Sequence, residues 1–463
     1  MSNTAQNLAS TRIASLLDEN SFVEIGGCVT ARNTDFNLKQ TATPSDGVIT
    51  GYGVIDGNLV YVYSQDASVL GGTIGEMHAK KIARLYDMAI KMGAPVIGLI
   101  DCAGIRLQEA TDALNALGEI YAKQVLASGV IPQITAVFGT CGGGMALMPA
   151  LTDFTFMESK NAKLFVNSPN ALAENNITKL DTSAAEYVSE NTANVDGVFE
   201  TEEELLGMIR ALVEVLPSCN LDDKEASAND NPNRIIPNLD SYKNDPRAVI
   251  QNIADDSLVL EMKKEYAGDV VTALIRMDGI TVGCVGNQED TITTAGAYKA
   301  EEFVDFCDAF NIPVLTLTNV EGYATSVEEE TTIATAAAKL TAAFVEADVP
   351  KVNLIVGKAY GSAYITMNSK HIGADMVFAL PTAQIGMMDA NVAAKIMYAD
   401  DKDVNLSEKA SEFAAQSGTE AAAARGYIDS VIEPEAARKQ VLYAFEMLFT
   451  KSEYPIGKKH GTI

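Results

Sequence analysis

The chain holds only three histidines, His78, His371 and His460. That scarcity argues against a histidine-centred triad or metal site. Its six cysteines (Cys28, Cys102, Cys141, Cys219, Cys284, Cys307) form no CxxC pair, which excludes a zinc ribbon and a disulfide framework and leaves them as small buried hydrophobes. Positive charge is scarce too: 34 Lys and Arg stand against 62 Asp and Glu, a net charge of −28. Nucleic acid and anionic membrane are poor general partners for such a chain, and an anionic ligand needs a local basic patch. No apolar run reaches bilayer length, and the polar start Met1-Ser-Asn-Thr-Ala-Gln lacks a basic n-region and an apolar h-region. The expectation is a cytoplasmic protein.

What is present is 463 residues, 47% hydrophobic and 21% charged, the composition of globular domains and too long for one ordinary core. Glycine is concentrated in Gly139-Thr-Cys-Gly-Gly-Gly-Met145, between the apolar run Ile134 to Phe138 and the apolar segment Ala146 to Leu151. The pattern predicts strand, tight turn and helix. Glycines allow close backbone approach, and N–H groups at a helix start point outward unpaired, as an oxyanion requires. Tight packing alone explains most such turns.

Along the chain, Ile13, Leu16 and Leu17 predict a short helical lead-in. Asp56-Gly57 predicts a hairpin within Gly47 to Gln65. Ile82, Leu85, Tyr86 and Ala89 mark one buried stripe of a helix that ends at Gly93-Ala-Pro95. Val96 to Ile100 predicts a strand, Asp101 to Gly104 a turn and Leu107 to Ala127 a second helix. Cys219 to Asn244 is polar and rich in Asn, Asp and Pro, and predicts an exposed linker.

Beyond it the pattern returns at constant spacing. Pro95 matches Pro313, Gly104 matches Gly322, Pro132 matches Pro350 and Gly139 matches Gly357, each 218 positions apart (313−95, 322−104, 350−132, 357−139). Lys358-Ala-Tyr-Gly-Ser-Ala363 thus takes the place of the first glycine turn. The chain reads as an internal duplication of two α/β units. Two oxyanion holes, one per half, suit a reaction that develops an oxyanion on each of two reactants.

Six stretches carry a resemblance: Gly71-Gly-Thr-Ile-Gly-Glu-Met-His78, Ser128-Gly-Val-Ile-Pro-Gln133, Pro149-Ala-Leu-Thr-Asp-Phe154, Phe306-Cys-Asp-Ala-Phe-Asn-Ile-Pro313, Lys358-Ala-Tyr-Gly-Ser-Ala-Tyr364 and Pro381-Thr-Ala-Gln384. With these, the chain from about Asn20 onward resembles the carboxyltransferase subunits of biotin-dependent acyl-CoA carboxylases and decarboxylases. Gly-Glu-Met-His is most similar to the alpha subunits of methylmalonyl-CoA and glutaconyl-CoA decarboxylases. The resemblance implies an α/β fold of two crotonase-like domains in tandem, residues 1–240 on the CoA side and 241–463 on the biotin side. It implies a homo-oligomer, usually a hexamer. Its cofactor is biotin, borne on a carboxyl carrier protein, with a biotin carboxylase or a membrane decarboxylase subunit as further partner and a coenzyme A thioester as substrate. Carboxybiotin releases carbon dioxide, the ureido anion removes the α-proton of the acyl-CoA, and the enolate takes up the carbon dioxide; decarboxylases run this backwards.

By the same resemblance the N–H groups of Gly143 and Gly144 hold the enolate oxygen, and those of Ser362 and Ala363 the ureido oxygen. Arg106, Tyr364 and Ile365 fall at substrate-side positions, Ile365 at the one that shapes the acyl pocket. Lys80, Lys81 and Arg84 are the basic cluster for CoA phosphates, set against the plainer reading of a solvated helix face. The chain departs from the family where Ser362 replaces a glycine, Glu321-Gly-Tyr323 replaces Pro-Gly-Phe, and Glu328, Glu329 and Glu330 replace a glycine-rich helix start. Three acids there suit the helix dipole but would repel a carboxylated cofactor if they lined the site.

Bland roles compete elsewhere. His78 and His371 read as structural residues, and Asp153 and Asp375 as caps of helix-to-strand turns. Lys91 before Met92 echoes a biotin-attachment lysine but ends a helix, so biotin comes from a partner. Two other functions stay open: a CoA-binding paralogue with a structural or regulatory role, and a hydratase or isomerase for which Glu109 is the one candidate acid.

Overall fold

The computed structural model describes residues 8–32, 42–173, 175–222, 230–401 and 403–452. The chain divides into two compact units, residues 1–223 and 224–463. The first opens with α1 (Leu8–Leu16). Asp56-Gly57 then turns β1 (Val48–Ile55) into antiparallel β2 (Asn58–Gln65), with Ile55 opposite Asn58. α2 (Glu76–Met92) buries Ile82, Leu85, Tyr86 and Ala89 along one face, each large side chain contributing about 1.5–3 kcal/mol of apolar burial. Gly93 stops the helix in the left-handed conformation, φ 61°, its N–H returned to the Ala89 and Ile90 carbonyls. β3 (Val96–Cys102), α3 (Ala110–Ala127), β4 (Gln133–Gly142), β5 (Phe154–Glu158) and β6 (Lys163–Phe165) follow.

The sheet order is Val23–Ile25, β1, β2, β3, β4, β5, Gly197–Phe199, with β6 beside the far end of β4. Only the first two pairings are antiparallel.

The second unit repeats this plan. It contains β7 (Val270–Met277), β8 (Ile280–Asn287), α4 (Thr294–Ala309), β9 (Val314–Val320), α5 (Ile333–Glu346), β10 (Lys351–Tyr360), α6 (Gly361–Thr366), β11 (Met376–Ala379) and β12 (Gln384–Gly386). Its order is Val259–Met262, β7, β8, β9, β10, β11, Ser430–Val431, with β12 beside β10. The expected tandem duplication is therefore present down to strand order. β3 and β9, and β4 and β10, begin and end 218 positions apart (314−96, 320−102, 351−133, 360−142).

The expected linker needs a correction. Residues 223–229 of it lie outside the described residues. Most of the remaining residues are exposed, Ile235 among them, but Ile236 and Leu239 are buried in the core of the second unit, and the stretch goes with that unit. Arg438 is fully buried and ties this stretch down, donating to the Asn231 and Ile253 carbonyls and pairing with Asp255. No helix among the described residues is long and apolar enough to cross a membrane.

Candidate active site

The glycine cluster is mostly strand. β4 runs on through Gly142, not into a turn at Gly139 as the sequence pattern suggested. The cause lies on the neighbouring strand. Ile100 pairs with Val137 but Cys102 with Cys141, so β4 bulges between them. A Cβ on Gly139 would lie 2.1 Å from Asp101 Oδ1, and only glycine clears that side chain. The second unit repeats the bulge between Thr318–Ile355 and Val320–Ala359. There a Cβ on Gly357 would lie 2.2 Å from Asn319 Oδ1. Gln65 Oε1 accepts the Asp101 N–H at 3.3 Å, and Asn287 Oδ1 the Asn319 N–H at 2.9 Å.

The bulged strands deliver two matched turns. Gly143 has φ +65° and Gly361 φ +60°, a left-handed conformation that side-chain-bearing residues adopt only with strain. Each opens a short helical segment, Gly143–Ala146 and α6, whose first N–H groups have no carbonyl within it to bond. At the first turn, a Cβ on Gly144 would come within 3.1 Å of both Leu117 Cδ2 and the Tyr121 hydroxyl, and that hydroxyl donates to the Gly144 carbonyl. The Cys141 thiol donates to the Met145 carbonyl at 3.4 Å. Burial pushes the Cys102 thiol up to about 12 and Cys141 well above its ordinary value, so both are inert packing groups, as expected.

At the second turn Ser362 is exposed and Ala363 buried. The Tyr323 hydroxyl lies 3.1 Å from Thr366 Oγ1, and burial raises it above its ordinary value. Lys358 and Glu321 form an ion pair beside this turn. Ile365 is 38% exposed, whereas Tyr364 is buried, with its ring edge-on to His371 at 6.0 Å. The Tyr364 hydroxyl has no hydrogen-bond partner among the described residues, and burial pushes it up to about 12.

Two expected substrate contacts are structural. Arg106 is 1% exposed. Its Nη1 pairs with Asp46 at 2.6 Å and Glu109 at 2.7 Å, and its Nη2 donates to the Thr73 carbonyl at 2.8 Å. Lys81 is buried, with its Nζ on the Ser45 and Val48 carbonyls. Lys299, 218 positions on (299−81), does the same on the Lys263 and Tyr266 carbonyls. Burial pulls both lysines down to about 8. A surface charge pattern could not reveal this, because the partners lie over thirty positions away. Of the basic cluster, Lys80 and Arg84 are exposed, and Lys80 pairs with Glu76 at 2.6 Å.

Glu109, the acid a hydratase would need, is 3% exposed and caps α2, its Oε2 accepting the Glu76 N–H at 2.6 Å. Glu329 caps α4 in the same way, accepting the Thr294 N–H at 2.7 Å. The acidic run thus supplies the second unit with its equivalent of Glu109. His78 is fully buried, with Nδ1 bonded to the Asp46 carbonyl at 2.9 Å and Nε2 to the Gln65 amide at 3.2 Å. Burial drives it down to about 3, so it is neutral and structural. Asp153 and Asp375 cap the starts of β4 and β10, accepting the Gln133 and Lys351 N–H groups. Sequence reading missed Tyr121, Tyr323, Asp101 and Asn319. Carried down to single residues, the 218-residue offset pairs Asp101 with Asn319 (319−101), whereas Tyr121 and Tyr323 fall opposite the unlike residues Lys339 and Ile105, and no repeat marks them.

Two α/β units of one topology, each ending a bulged strand in a left-handed glycine, are a tandem pair of crotonase-like domains. The chain belongs to the carboxyl transferase domain family, whose model matches residues 3–463. It is 40% identical to a propionyl-CoA carboxylase beta chain of Roseobacter denitrificans, over 98% of this chain and 93% of that one. It is 38% identical to a methylmalonyl-CoA decarboxylase subunit alpha of Veillonella parvula, over 98% and 92%. Among solved structures it matches transcarboxylase 12S, described as a hexamer assembly with hydrolysed methylmalonyl-coenzyme A bound, at TM-score 0.93 and 35% identity over 98% and 92%. The resemblance to carboxyltransferase subunits of biotin-dependent acyl-CoA carboxylases and decarboxylases holds over the whole chain.

Proposed function

We propose that the chain transfers a carboxyl group between biotin on a separate carrier protein and a short-chain acyl-CoA. The observation that carries this reading is the pair of left-handed glycines, Gly143 and Gly361, each closing a ten-residue strand and 218 positions apart. On this reading the Gly143 and Gly144 N–H groups stabilise the enolate oxygen of the thioester as the α-carbon gains or loses its carboxyl group. Preorganised backbone donors supply that without a titrating side chain, which fits a turn whose neighbours are Ile105, Leu117 and Tyr121.

The residues of the second turn fit a ureido group. The Ser362 and Ala363 N–H groups would hold its oxygen, and the exposed Ser362 beside the left-handed Gly361 leaves that approach open. When bound, biotin supplies the carboxyl group and, without it, a basic nitrogen. Ile365 offers the acyl chain an apolar contact, and Lys80 is the exposed lysine we assign to CoA phosphate. The chain works as a homo-oligomer, a hexamer by likeness to the transcarboxylase 12S core, with the biotin carrier as its partner.

Calorimetric titration with propionyl-CoA and with biotin methyl ester tests the reading. Binding of both is expected. Binding of the CoA ester alone overturns it in favour of a CoA-binding paralogue.

A further inference from the structure

Each of the three consecutive glycines at the first turn has its own reason. A Cβ on Gly142 would lie 2.6 Å from Phe165 Cζ, Gly143 has φ +65°, and a Cβ on Gly144 would lie 3.1 Å from both Leu117 Cδ2 and the Tyr121 hydroxyl. The second turn has Tyr360-Gly361-Ser362 at the matching places (360−142, 361−143 and 362−144 are each 218), one glycine where the first has three. Successive glycines leave a backbone that no side chain restrains. Donors that must be set before charge develops need that freedom removed from outside.

Two carbonyls hold the first turn in place. That of Gly144 accepts the Leu147 N–H and the Tyr121 hydroxyl, which uses both of its lone pairs. That of Met145 accepts the Cys141 thiol at 3.4 Å. A thiol is a weak donor, and the Leu147 N–H follows directly from the turn, so the phenol is the strong anchor from another element. It stands on α3, where Leu117 and Ile120 are buried, and burial raises it above its ordinary value, keeping it a neutral donor. The second turn is finished differently. Lys339 takes the place of Tyr121 (339−121), and its ammonium lies over the Tyr298 ring at 5.4 Å. Ala359 takes the place of Cys141 (359−141), and the Ala363 carbonyl accepts Thr366 Oγ1 at 2.9 Å. The phenol therefore stands in the half whose turn is glycine throughout.

We propose that Tyr121 is the positioning residue of the first turn: its hydroxyl, by fixing the Gly144 carbonyl, keeps the Gly143 and Gly144 N–H groups aimed at the thioester oxygen. This rests on the reading that the first turn receives the enolate. Tyr121 acts through the backbone. Charge gathers on the thioester oxygen only as the enolate forms, so loosened donors weaken the transition state more than the bound ester. The loss falls on kcat and leaves KM in place.

Formation of propionyl-CoA from methylmalonyl-CoA, with free biotin as the carboxyl acceptor, is measured for the full chain and its Tyr121→Phe and Lys339→Gln variants. Tyr121→Phe removes the hydroxyl and keeps the ring. It is expected to lower kcat about 3- to 10-fold, the worth of one neutral hydrogen bond, with the KM for methylmalonyl-CoA and for biotin unchanged. Lys339→Gln, at the matching place in the second half, is expected to leave kcat unchanged. An unchanged kcat in Tyr121→Phe overturns the positioning role, whether or not the urea midpoint falls or the KM for methylmalonyl-CoA rises. So does a fall in kcat matched by a raised KM for both reactants, which marks a general loosening, or an equal fall in Lys339→Gln. Each of these leaves the proposed function standing. No propionyl-CoA from the unaltered chain overturns the proposed function and the positioning role with it.

Discussion

Replacing Gly143 by valine probes the first turn most sharply. A Cβ there meets nothing within 4 Å, so the penalty is conformational. At φ +65° a side chain costs about 1–2 kcal/mol, and a β-branched one is an outright outlier. With no neighbour packed on the new side chain, the backbone relieves the strain by swinging φ negative, which carries the residue's own N–H away and tilts that of Gly144. Loss of one preorganised donor is worth roughly 10²–10³ in kcat. Formation of propionyl-CoA from methylmalonyl-CoA with free biotin as the carboxyl acceptor, at saturating CoA ester, measures it. Gly361→Val provides the matched control, expected to raise the KM for biotin rather than for the CoA ester. Full activity in Gly143→Val would remove the first turn from the chemistry.

Three further outcomes follow from buried groups. Arg106→Met leaves Asp46 and Glu109 as uncompensated buried carboxylates and should cost about 3–5 kcal/mol of stability, read as a lowered urea midpoint; lost CoA affinity at unchanged stability would return Arg106 to the substrate. His78 binds no proton in the folded chain until about pH 3, whereas the unfolded chain protonates near 6.5, so stability falls as pH drops through that window at about 1.4 kcal/mol per unit. His78→Gln should flatten that slope in urea titrations at pH 6 and pH 4.5, and an unaltered slope would mean the ring is not buried neutral. Glu329→Ala should cost about 0.5–2 kcal/mol as a lost cap with turnover retained; a gain in affinity for the biotin ester would show instead that the acid faces the site.

The duplication was legible because strands and their turns keep one spacing, and β3, β4, β9 and β10 preserve it to the residue. The hairpins drift to 222 (270−48, 280−58), which no short motif announces. The glycine cluster was visible, but its shape was not. What makes Gly139 obligatory is a carboxylate on the neighbouring strand, a contact invisible to local pattern. The same limit explains Arg106 and Lys81. Charge on a helix or turn predicts exposure, and only the fold brings Asp46 to Arg106 across sixty positions. Glu329 read only as one of three acids at a helix start, and the partner it holds on another helix, the Thr294 N–H, came from the structure.

Isotope exchange tests the central claim most directly. Methylmalonyl-CoA labelled in its free carboxyl is incubated with the purified chain and a biotinylated carrier domain. The account predicts that label moves to the carrier, that free avidin blocks the movement, and that Gly143→Val slows it by roughly 10²–10³. Label that stays on the CoA ester in the unaltered chain would contradict it.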